Sequence, residues 1–562
     1  MKRLIFFVIV VFAFSNCASA YYQLANSRKR GLNLHSIDTI LRQKDEQIDI
    51  ATAALAISRD WGTKKTPLSY RRQIDNMANE IISRIEEQSL PYDYSVIPVI
   101  NKYLFDELGF KSVDTADDPE DLFLHIVMDR KRGYCLSLSI LYLSIAERVG
   151  LPIYGVVVPG HFFVRYDDGE HRFNIETTSK GNTATDEHYI KKFNPPKGKD
   201  SIYMKNLTNK KTLGCFFNNL GNSYSMIGED DYALLELKRA VKITGNLAEA
   251  HMNLGNVYFK KGYTSKAVSQ YHIAIEILPT DQKTYNNLAN AYSKLNELSL
   301  AVKEYKTALK LKPDFADAHR NLAATYYKQG EIDKGIISLK KAAEFSPADS
   351  RTHRMLGDFY STSSKYKEAI EEYKKSLAYE PESPATLTNL GYAYLNTNEP
   401  SKAGPYFIAS LQAEPHDIKP YYGLAAVYGK LGNIDMEIKI YQRLLKSWPE
   451  NIPALLNLGN AFVSKKEYTN AIENYLLAIE KDPDNSDIHH NLAVAYLNLE
   501  QFEDAAAEYS ITVKLDPGNA SAHNGLAVCY YILKDLKTAK KHAEFASRLG
   551  FDVDRKLLQA LK

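Results

Sequence analysis

Three residues of the types used in thiol catalysis lie between positions 135 and 176. Cys135 opens an apolar segment that reads as a helix, His161 follows the turn Pro159-Gly160, and Glu176 ends a short apolar run. A helix N-terminus stabilises a thiolate, and a neighbouring histidine completes the ion pair. A third polar group orients the imidazole. The residues therefore predict a nucleophilic Cys135, a proton-transferring His161 and an orienting Glu176.

The elements that must position these residues are also readable. The helix from Cys135 runs to Glu147, and Gly150 ends it. Three strands follow, and the hairpin turn signal Asp-Asp-Gly separates the last two. We predict the strands at residues 153–158, 161–166 and 172–176.

This order of cysteine, histidine and acid resembles the papain and transglutaminase fold. The motifs that carry the resemblance are Gly-Tyr-Cys-Leu-Ser-Leu-Ser from Gly133, Pro-Gly-His-Phe from Pro159 and Asn-Ile-Glu-Thr-Thr from Asn174. Residues 35–197 thus look like a bacterial transglutaminase-like core domain of the α+β class. The resemblance implies a cysteine protease, amidase or transglutaminase. The alternative is a domain that keeps the fold without activity and serves only as a structural adaptor.

Two points of this site stay open in the sequence. Transglutaminases usually have aspartate where Glu176 stands, so the extra methylene puts the geometry in question. Asn174 is a fallback for the third position, because papain-like proteases use asparagine there. Cys215 and Cys529 lie in the repeats described next and are predicted to be packing residues.

A repeat of 34 residues fills the C-terminal two-thirds of the chain. Its marks are a proline, a leucine followed by Gly or Ala, and an aromatic residue four places after that leucine. The prolines are Pro279, Pro313, Pro347, Pro381, Pro415, Pro449, Pro483 and Pro517. Gly245 stands where the first repeat would have its proline.

The repeat pattern resembles tetratricopeptide repeats, each of which is a pair of antiparallel helices. Leucine and the aromatic residue share one face of the first helix, and the small residue allows the second helix to approach. Proline then stops the second helix. We predict a mainly α protein in which ten repeats at 214–553 form an α-solenoid superhelix, with a C-terminal cap at 554–562.

Asparagine precedes the repeat leucine in seven of the ten repeats. A similar row of asparagines holds extended peptide backbones in the nucleocytoplasmic sugar transferase that modifies serine and threonine. Carboxamides both donate to and accept from a peptide backbone. The row predicts a groove for a protein or an extended peptide, although the asparagines could serve only the helix. They are Asn219, Asn253, Asn287, Asn321, Asn389, Asn457 and Asn491.

The N-terminus reads as a secretory signal over residues 1–20, followed by a linker at 21–34. Lys2 and Arg3 precede an apolar run that is too short to span a bilayer. Ala18-Ser19-Ala20 suits an ordinary signal peptidase, whereas Phe14-Ser15-Asn16-Cys17 resembles a lipobox that would place a lipid on Cys17. We expect an exported protein, either periplasmic or a membrane-anchored lipoprotein. A second linker is predicted at 198–213.

Composition narrows the function classes further. The net charge is +2 with 25% charged residues, which gives no basic patch for nucleic acid. No metal-ligand spacing, P-loop or dinucleotide fingerprint is present, so no cofactor is expected. Three functions compete on these grounds: a peptide-binding protein, a cysteine acyl transferase or peptidase, and an inactive envelope scaffold.

Overall fold

A computed structural model describes residues 34–58, 66–113, 118–198 and 200–561. The predicted signal sequence and Cys17 lie outside these residues. The chain divides into two compact units, one ending at Asn321 and the other beginning at Leu322. Each unit is described by itself.

The first unit begins with an α+β domain whose helices come before and after a small sheet. Its helices are α1 (Leu34–Leu41), α2 (Ile50–Ser58), α3 (Pro67–Glu87), α4 (Ile97–Asn101), α5 (Leu124–Arg130), α6 (Cys135–Val149) and α7 (Asp186–Phe193). Its strands are β1 (Lys111–Ser112), β2 (Arg132–Gly133), β3 (Ile153–Val158), β4 (His161–Asp167), β5 (Arg172–Glu176) and β6 (Asn182–Ala184). The helix that begins at Cys135 and the three predicted strands are confirmed.

The sheet positions the predicted site. Strands β3, β4, β5 and β6 pair antiparallel in that order, and β1 pairs with β2 separately. Alternate side chains point to opposite faces of a sheet. Phe162 and Val164 join the large core that includes α6, whereas Phe163 packs with Tyr189 of α7. The sheet is therefore covered by a helix on each face, and His161 lies on the α7 face with Phe163.

The segment at 198–213, predicted as a linker, is packed against the sheet. Ile202, Tyr203 and Leu207 are buried, and the Leu207 N–H donates to the Gly155 carbonyl at 2.8 Å. The first repeat helix already begins at Asn209. The three side chains bury apolar surface, which stabilises this docking. The segment also supplies a hydrogen-bond donor to the open edge of β3.

The repeats are helical pairs with the predicted period. In the first unit they are α8 (Asn209–Met226), α9 (Asp230–Ile243), α10 (Ala248–Lys260), α11 (Thr264–Ile277), α12 (Gln282–Lys294) and α13 (Leu298–Leu311). The boundary between the units falls inside α14 (Ala316–Lys328).

The second unit continues the same pairs. Its helices are α15 (Ile332–Phe345), α16 (Ser350–Thr362), α17 (Tyr366–Tyr379), α18 (Pro384–Asn396), α19 (Pro400–Ala413), α20 (Lys419–Lys430), α21 (Ile434–Ser447), α22 (Ile452–Ser464), α23 (Tyr468–Lys481), α24 (Ser486–Asn498), α25 (Phe502–Leu515), α26 (Ala520–Ile532), α27 (Leu536–Arg548) and α28 (Arg555–Ala560). Val553 and Leu561 are buried at the C-terminal end of this unit.

Close approach of the two helices in a repeat depends on the small residue after the repeat leucine. A Cβ added at Gly357 would lie 2.4 Å from the Tyr373 ring, and one at Gly459 would lie 2.3 Å from the Tyr475 ring. Glycine at these positions allows the tyrosine ring to lie directly on the backbone of the first helix. None of the helices in the described ranges combines the length and the apolar character that a transmembrane span requires.

Candidate active site

Cys135 lies at the first turn of α6, as predicted. The Tyr134 N–H donates to Ser137 Oγ at 2.8 Å, and Ser137 Oγ donates to the Asp121 carbonyl at 2.8 Å. Gly133 permits this start, because a Cβ there would lie 2.6 Å from Ser137 Oγ. The motif around Cys135 thus caps the helix and leaves the half-buried thiol at its N-terminus.

His161 is the first residue of β4 and follows Gly160, whose φ is +76°. Its Nε2 lies 2.7 Å from Glu176 Oε2. Cys135 and His161 line the same cavity, and the interaction with the thiol contributes to a raised pKa of the imidazole. The Phe193 ring stacks on the imidazole at 5.4 Å between centroids. The structure therefore brings the three predicted catalytic residues together in the order thiol, imidazole, carboxylate.

Glu176 reaches His161 in spite of being longer than aspartate. Its Oε2 accepts from His161 and from the Tyr189 hydroxyl at 3.0 Å. Its Oε1 accepts from the Thr178 hydroxyl at 2.6 Å and the Thr178 N–H at 3.2 Å. Burial raises the pKa of Glu176, but the imidazole and Thr178 outweigh it and lower that pKa to about 2. Four hydrogen bonds hold the carboxylate ionised and aimed at His161.

The imidazole is stabilised in its charged form. Burial lowers the pKa of His161, yet the interactions of the imidazole with Cys135 and with the Glu176 carboxylate raise it overall to about 9. An imidazolium that persists at neutral pH is the partner that a thiolate requires. A charged imidazole beside a thiol is one half of the ion pair from which cysteine nucleophiles attack a carbonyl.

Asn174, the fallback for the third position, does not take part in the site. It points to the same sheet face as Glu176 but is buried, and its Oδ1 accepts from Arg165 Nε at 2.7 Å. Its Nδ2 donates to Asp186 at 2.8 Å. The side chain is fully used in holding the buried Arg165, so the fallback is wrong.

Two motif residues tie the helix of Cys135 to the strand of Glu176. Ser139 Oγ lies 3.0 Å from Thr177 Oγ1, and that hydroxyl lies 3.4 Å from the Cys135 carbonyl. Both residues are buried. Both residues lie in the motifs that start at Gly133 and Asn174, but the sequence predicts no role for them. Their hydrogen bonds hold the start of α6, which carries Cys135, against Thr177, which directly follows Glu176.

A cavity of about 110 Å³ opens beside Cys135 and His161. Residues of the first two repeats line it together with the α+β domain, and sequence reasoning did not place them there. They are Cys215, Asn218, Asn219, Leu247 and Glu249. Nothing local in the sequence signals this, because Glu249 is 88 residues from His161. Asn219 thus belongs both to the predicted asparagine row and to the wall beside the thiol.

The other asparagines of the row are half-buried and bonded to neighbouring side chains. In five of them, the Nδ2 group donates to a side-chain oxygen in the preceding repeat. The pairs are Asn253 to Asn218 at 3.0 Å, Asn287 to Asn256 at 2.9 Å, Asn321 to Asn286 at 3.2 Å, Asn389 to Asp358 at 2.8 Å and Asn491 to Asn460 at 3.2 Å. For Asn457 the neighbouring polar group is the Tyr441 hydroxyl, whose pKa the carboxamide lowers against the effect of burial. A carboxamide has further donor and acceptor positions, so peptide binding by the row stays a prediction.

The remaining cysteines with described structure are buried in repeat helices. Cys215 and Cys529 are 4% and 0% exposed. Burial raises the pKa of the Cys529 thiol to about 11 and that of Cys215 further. Both thiols are therefore poor nucleophiles at neutral pH, whereas Cys135 is half-buried beside His161.

Comparison with family models agrees with this architecture. Residues 68–214 match the transglutaminase-like superfamily. Tetratricopeptide-repeat models match the segments 221–262, 290–330, 357–398, 421–451, 459–500 and 490–540. The protein therefore has a transglutaminase-like domain followed by an α-solenoid of tetratricopeptide repeats, as the sequence predicts.

Curated relatives share only part of the chain. A UPF0162 protein of Xylella fastidiosa is 33% identical over 141 residues, which are 24% of this chain and 47% of the relative. A UPF0162 protein of Pseudomonas aeruginosa is 23% identical over 34% of this chain and 70% of its own length. Human F-box only protein 21 is 36% identical over 24% of this chain and 20% of its own length. The chain spans about half the length of the Xylella relatives.

Solved structures also resemble parts of the chain. MamA is 26% identical, with 29% of this chain and 94% of MamA covered at a TM-score of 0.27. Pseudomonas aeruginosa PilF is 15% identical, with 38% of this chain and 98% of PilF covered at a TM-score of 0.35.

Proposed function

We propose that this protein binds a protein or an extended peptide through its repeats and acts on it at Cys135 as a cysteine acyl transferase or peptidase. The observation that carries the proposal is the pair of His161 and Glu176, with His161 Nε2 2.7 Å from the carboxylate, in a cavity that His161 lines together with Cys135. Repeat residues line the same cavity. A chain bound along the repeats would thus end beside the thiol.

The proposed reaction proceeds through a thioester. The Cys135 thiolate attacks a peptide or carboxamide carbonyl, and the imidazolium of His161 protonates the departing amine or ammonia. Glu176 stabilises the imidazolium and keeps the ring oriented. Water or an amine then attacks the thioester, and His161 accepts its proton as the Cys135 sulfur leaves. Water gives hydrolysis, and an amine gives a new amide bond.

Alkylation of the full-length protein tests this proposal. At mildly acidic pH, iodoacetamide should modify Cys135 faster than Cys215 and Cys529, as measured by peptide mass spectrometry. Substitution His161→Gln should slow the reaction at Cys135 by at least about tenfold, because the thiolate loses its counter-ion. Equal rates at all three cysteines would support the inactive adaptor instead.

We also propose that the protein is exported and anchored by a lipid on Cys17. The basic start, the apolar run and the lipobox-like residues support this proposal. Labelling with a radioactive fatty acid in a bacterial host should mark the wild type and not Cys17→Ala. Cleavage after Ala20 without label would show ordinary secretion.

A further inference from the structure

Glu249, at the second position of α10, contacts the turn that carries His161. Its Oε1 accepts from the Gly160 N–H at 3.0 Å. Its Oε2 accepts from the Tyr203 hydroxyl, and the Ala248 N–H donates to the Tyr203 oxygen at 3.1 Å. The second repeat therefore holds a carboxylate in a fixed position beside the residue that precedes His161.

The cavity next to Cys135 has one acidic side chain among the described residues that line it. Glu249 is its carboxylate, and Asn218 and Asn219 add carboxamides. The described residues that line it include no lysine or arginine, and the imidazolium of His161 is already paired with Glu176. Of the described side chains that line the cavity, Glu249 is therefore the carboxylate, and it has no cationic partner there.

The size of the cavity limits what can enter. Sites for drug-sized ligands are typically about 300–1,000 Å³, whereas this cavity measures about 110 Å³. It admits one side chain or a chain end rather than a folded surface. A group that enters it lies against both the thiol and the Glu249 carboxylate.

We propose that Glu249 is a specificity-determining residue that admits a positively charged group beside Cys135 and excludes carboxylates. The substrate class is then a peptide with a lysine or arginine side chain, or a free amino terminus, next to the attacked carbonyl. This inference rests on the proposed function and deepens it, because the repeat array supplies the selecting residue. A carboxylate attracts a cation and repels an anion most strongly where water is excluded.

Charged alkylating reagents test the selectivity without knowledge of the substrate. Iodoacetamide is neutral, iodoacetate is anionic and 2-bromoethylamine is cationic. Their rates at Cys135 are measured on the full-length protein at mildly alkaline pH, because burial raises the pKa of Glu249. Each charged rate is divided by the iodoacetamide rate, so that any change in the thiol itself cancels.

Substitution Glu249→Gln should raise the iodoacetate ratio about tenfold and lower the bromoethylamine ratio by a similar factor. Glu249→Asp keeps the charge and should keep both ratios close to wild type. Glu276→Gln is the matched control. Glu276 is exposed on α11 in the same repeat, and its substitution removes the same charge. Its ratios should equal those of the wild type.

Three results separate the inference from the proposed function. Ratios that are the same in wild type and Glu249→Gln, with a reactive Cys135, overturn the role of Glu249 alone. Ratios that change equally in Glu276→Gln overturn it too, since the effect would then come from net charge. A Cys135 that iodoacetamide modifies no faster than Cys529 overturns both proposals.

Discussion

The geometry of single residues decides the electrostatics of the site. Glu176 accepts four hydrogen bonds, and its extra methylene, compared with aspartate, lets it reach both His161 and Thr178. Burial alone would neutralise both partners. The ion pair persists because each charged group has a hydrogen-bonded partner at short distance.

The same pair predicts a pH dependence of stability. His161 has a folded pKa of about 9 against an ordinary 6.5, so its contribution is full below 6.5 and is lost as pH rises through 9. Glu176 has a folded pKa of about 2 against 4.5, so its contribution is full above 4.5 and is lost as pH falls through 2. The pair should stabilise the protein most between about pH 4.5 and 6.5.

Substitution Glu176→Gln should therefore lower the free energy of unfolding most in that window, by about 1–3 kcal/mol. Thermal unfolding of the wild type and the variant across pH measures the difference. Glu187→Gln is the control, because Glu187 is exposed on α7. A difference that does not change with pH would contradict the ion pair.

At the scale of elements, one repeat contact departs from its equivalents. Gly335 of α15 stands where most other repeats have alanine, and Phe359 of α16 stands where the others have only Ser, Ala, Val, Thr or Cys. A Cβ at Gly335 would lie 2.2 Å from the Phe359 ring. The missing methyl group thus makes room for the larger ring.

This exchange predicts a coupled pair of substitutions. Gly335→Ala should destabilise the second unit, because overpacking costs about 1–3 kcal/mol and outweighs the roughly 1 kcal/mol gained in helix propensity. Phe359→Ala should cost about 3–5 kcal/mol through the cavity that it leaves. The double variant should cost less than the sum, since it recreates the Ala369 and Ala393 pair two helices later.

Denaturant unfolding of the single and double variants measures the coupling. Gly404→Ala is the comparison, because a Cβ there finds its nearest neighbour beyond the adjoining residues at 3.6 Å, an ordinary contact. The gain in helix propensity is opposed by Pro405, whose ring disfavours helical backbone at a preceding residue with a side chain, so the free energy of unfolding should fall less than in Gly335→Ala. Strict additivity of Gly335→Ala and Phe359→Ala would show that the ring and the missing methyl group do not depend on each other.

At the scale of the whole molecule, a repeat array and a thiol site lie on one chain. Asn219 lines the cavity at Cys135, and the row continues through Asn253, Asn287 and Asn321 in the same unit. Carboxamides at a fixed repeat spacing suit an extended backbone, which exposes its own groups at regular intervals. Binding and chemistry would then act on one bound chain.

Replacing both Asn287 and Asn321 by alanine should weaken capture of the binding partner about tenfold without unfolding the repeats. Quantitative pull-down with the full chain measures capture, and circular dichroism measures helicity. The matched control replaces the half-buried Asn474 and the exposed Asn498, whose carboxamides donate to the backbone carbonyl one turn earlier. Undiminished capture by the Asn287 and Asn321 variant would remove the row from the binding surface.

Features that depend on neighbours along the chain can be predicted from the order of the residues. The 34-residue period, the helix that starts at Cys135 and the strands of His161 and Glu176 follow from local patterns of apolar, small and turn residues. The choice between Glu176 and Asn174 as the partner of His161 needed the folded protein, because both side chains point the same way and only their contacts differ.

The docking of residues 198–213 and the place of Glu249 were likewise decided in three dimensions. Leu207 pairs with Gly155 and Glu249 with Gly160, across 52 and 89 residues of sequence. Side chains that meet across such separations leave no periodic signal, because burial and hydrogen bonding depend on how whole elements pack. The residues for thiol chemistry are therefore visible in the chain, whereas the wall that selects what reaches Cys135 is made only by folding.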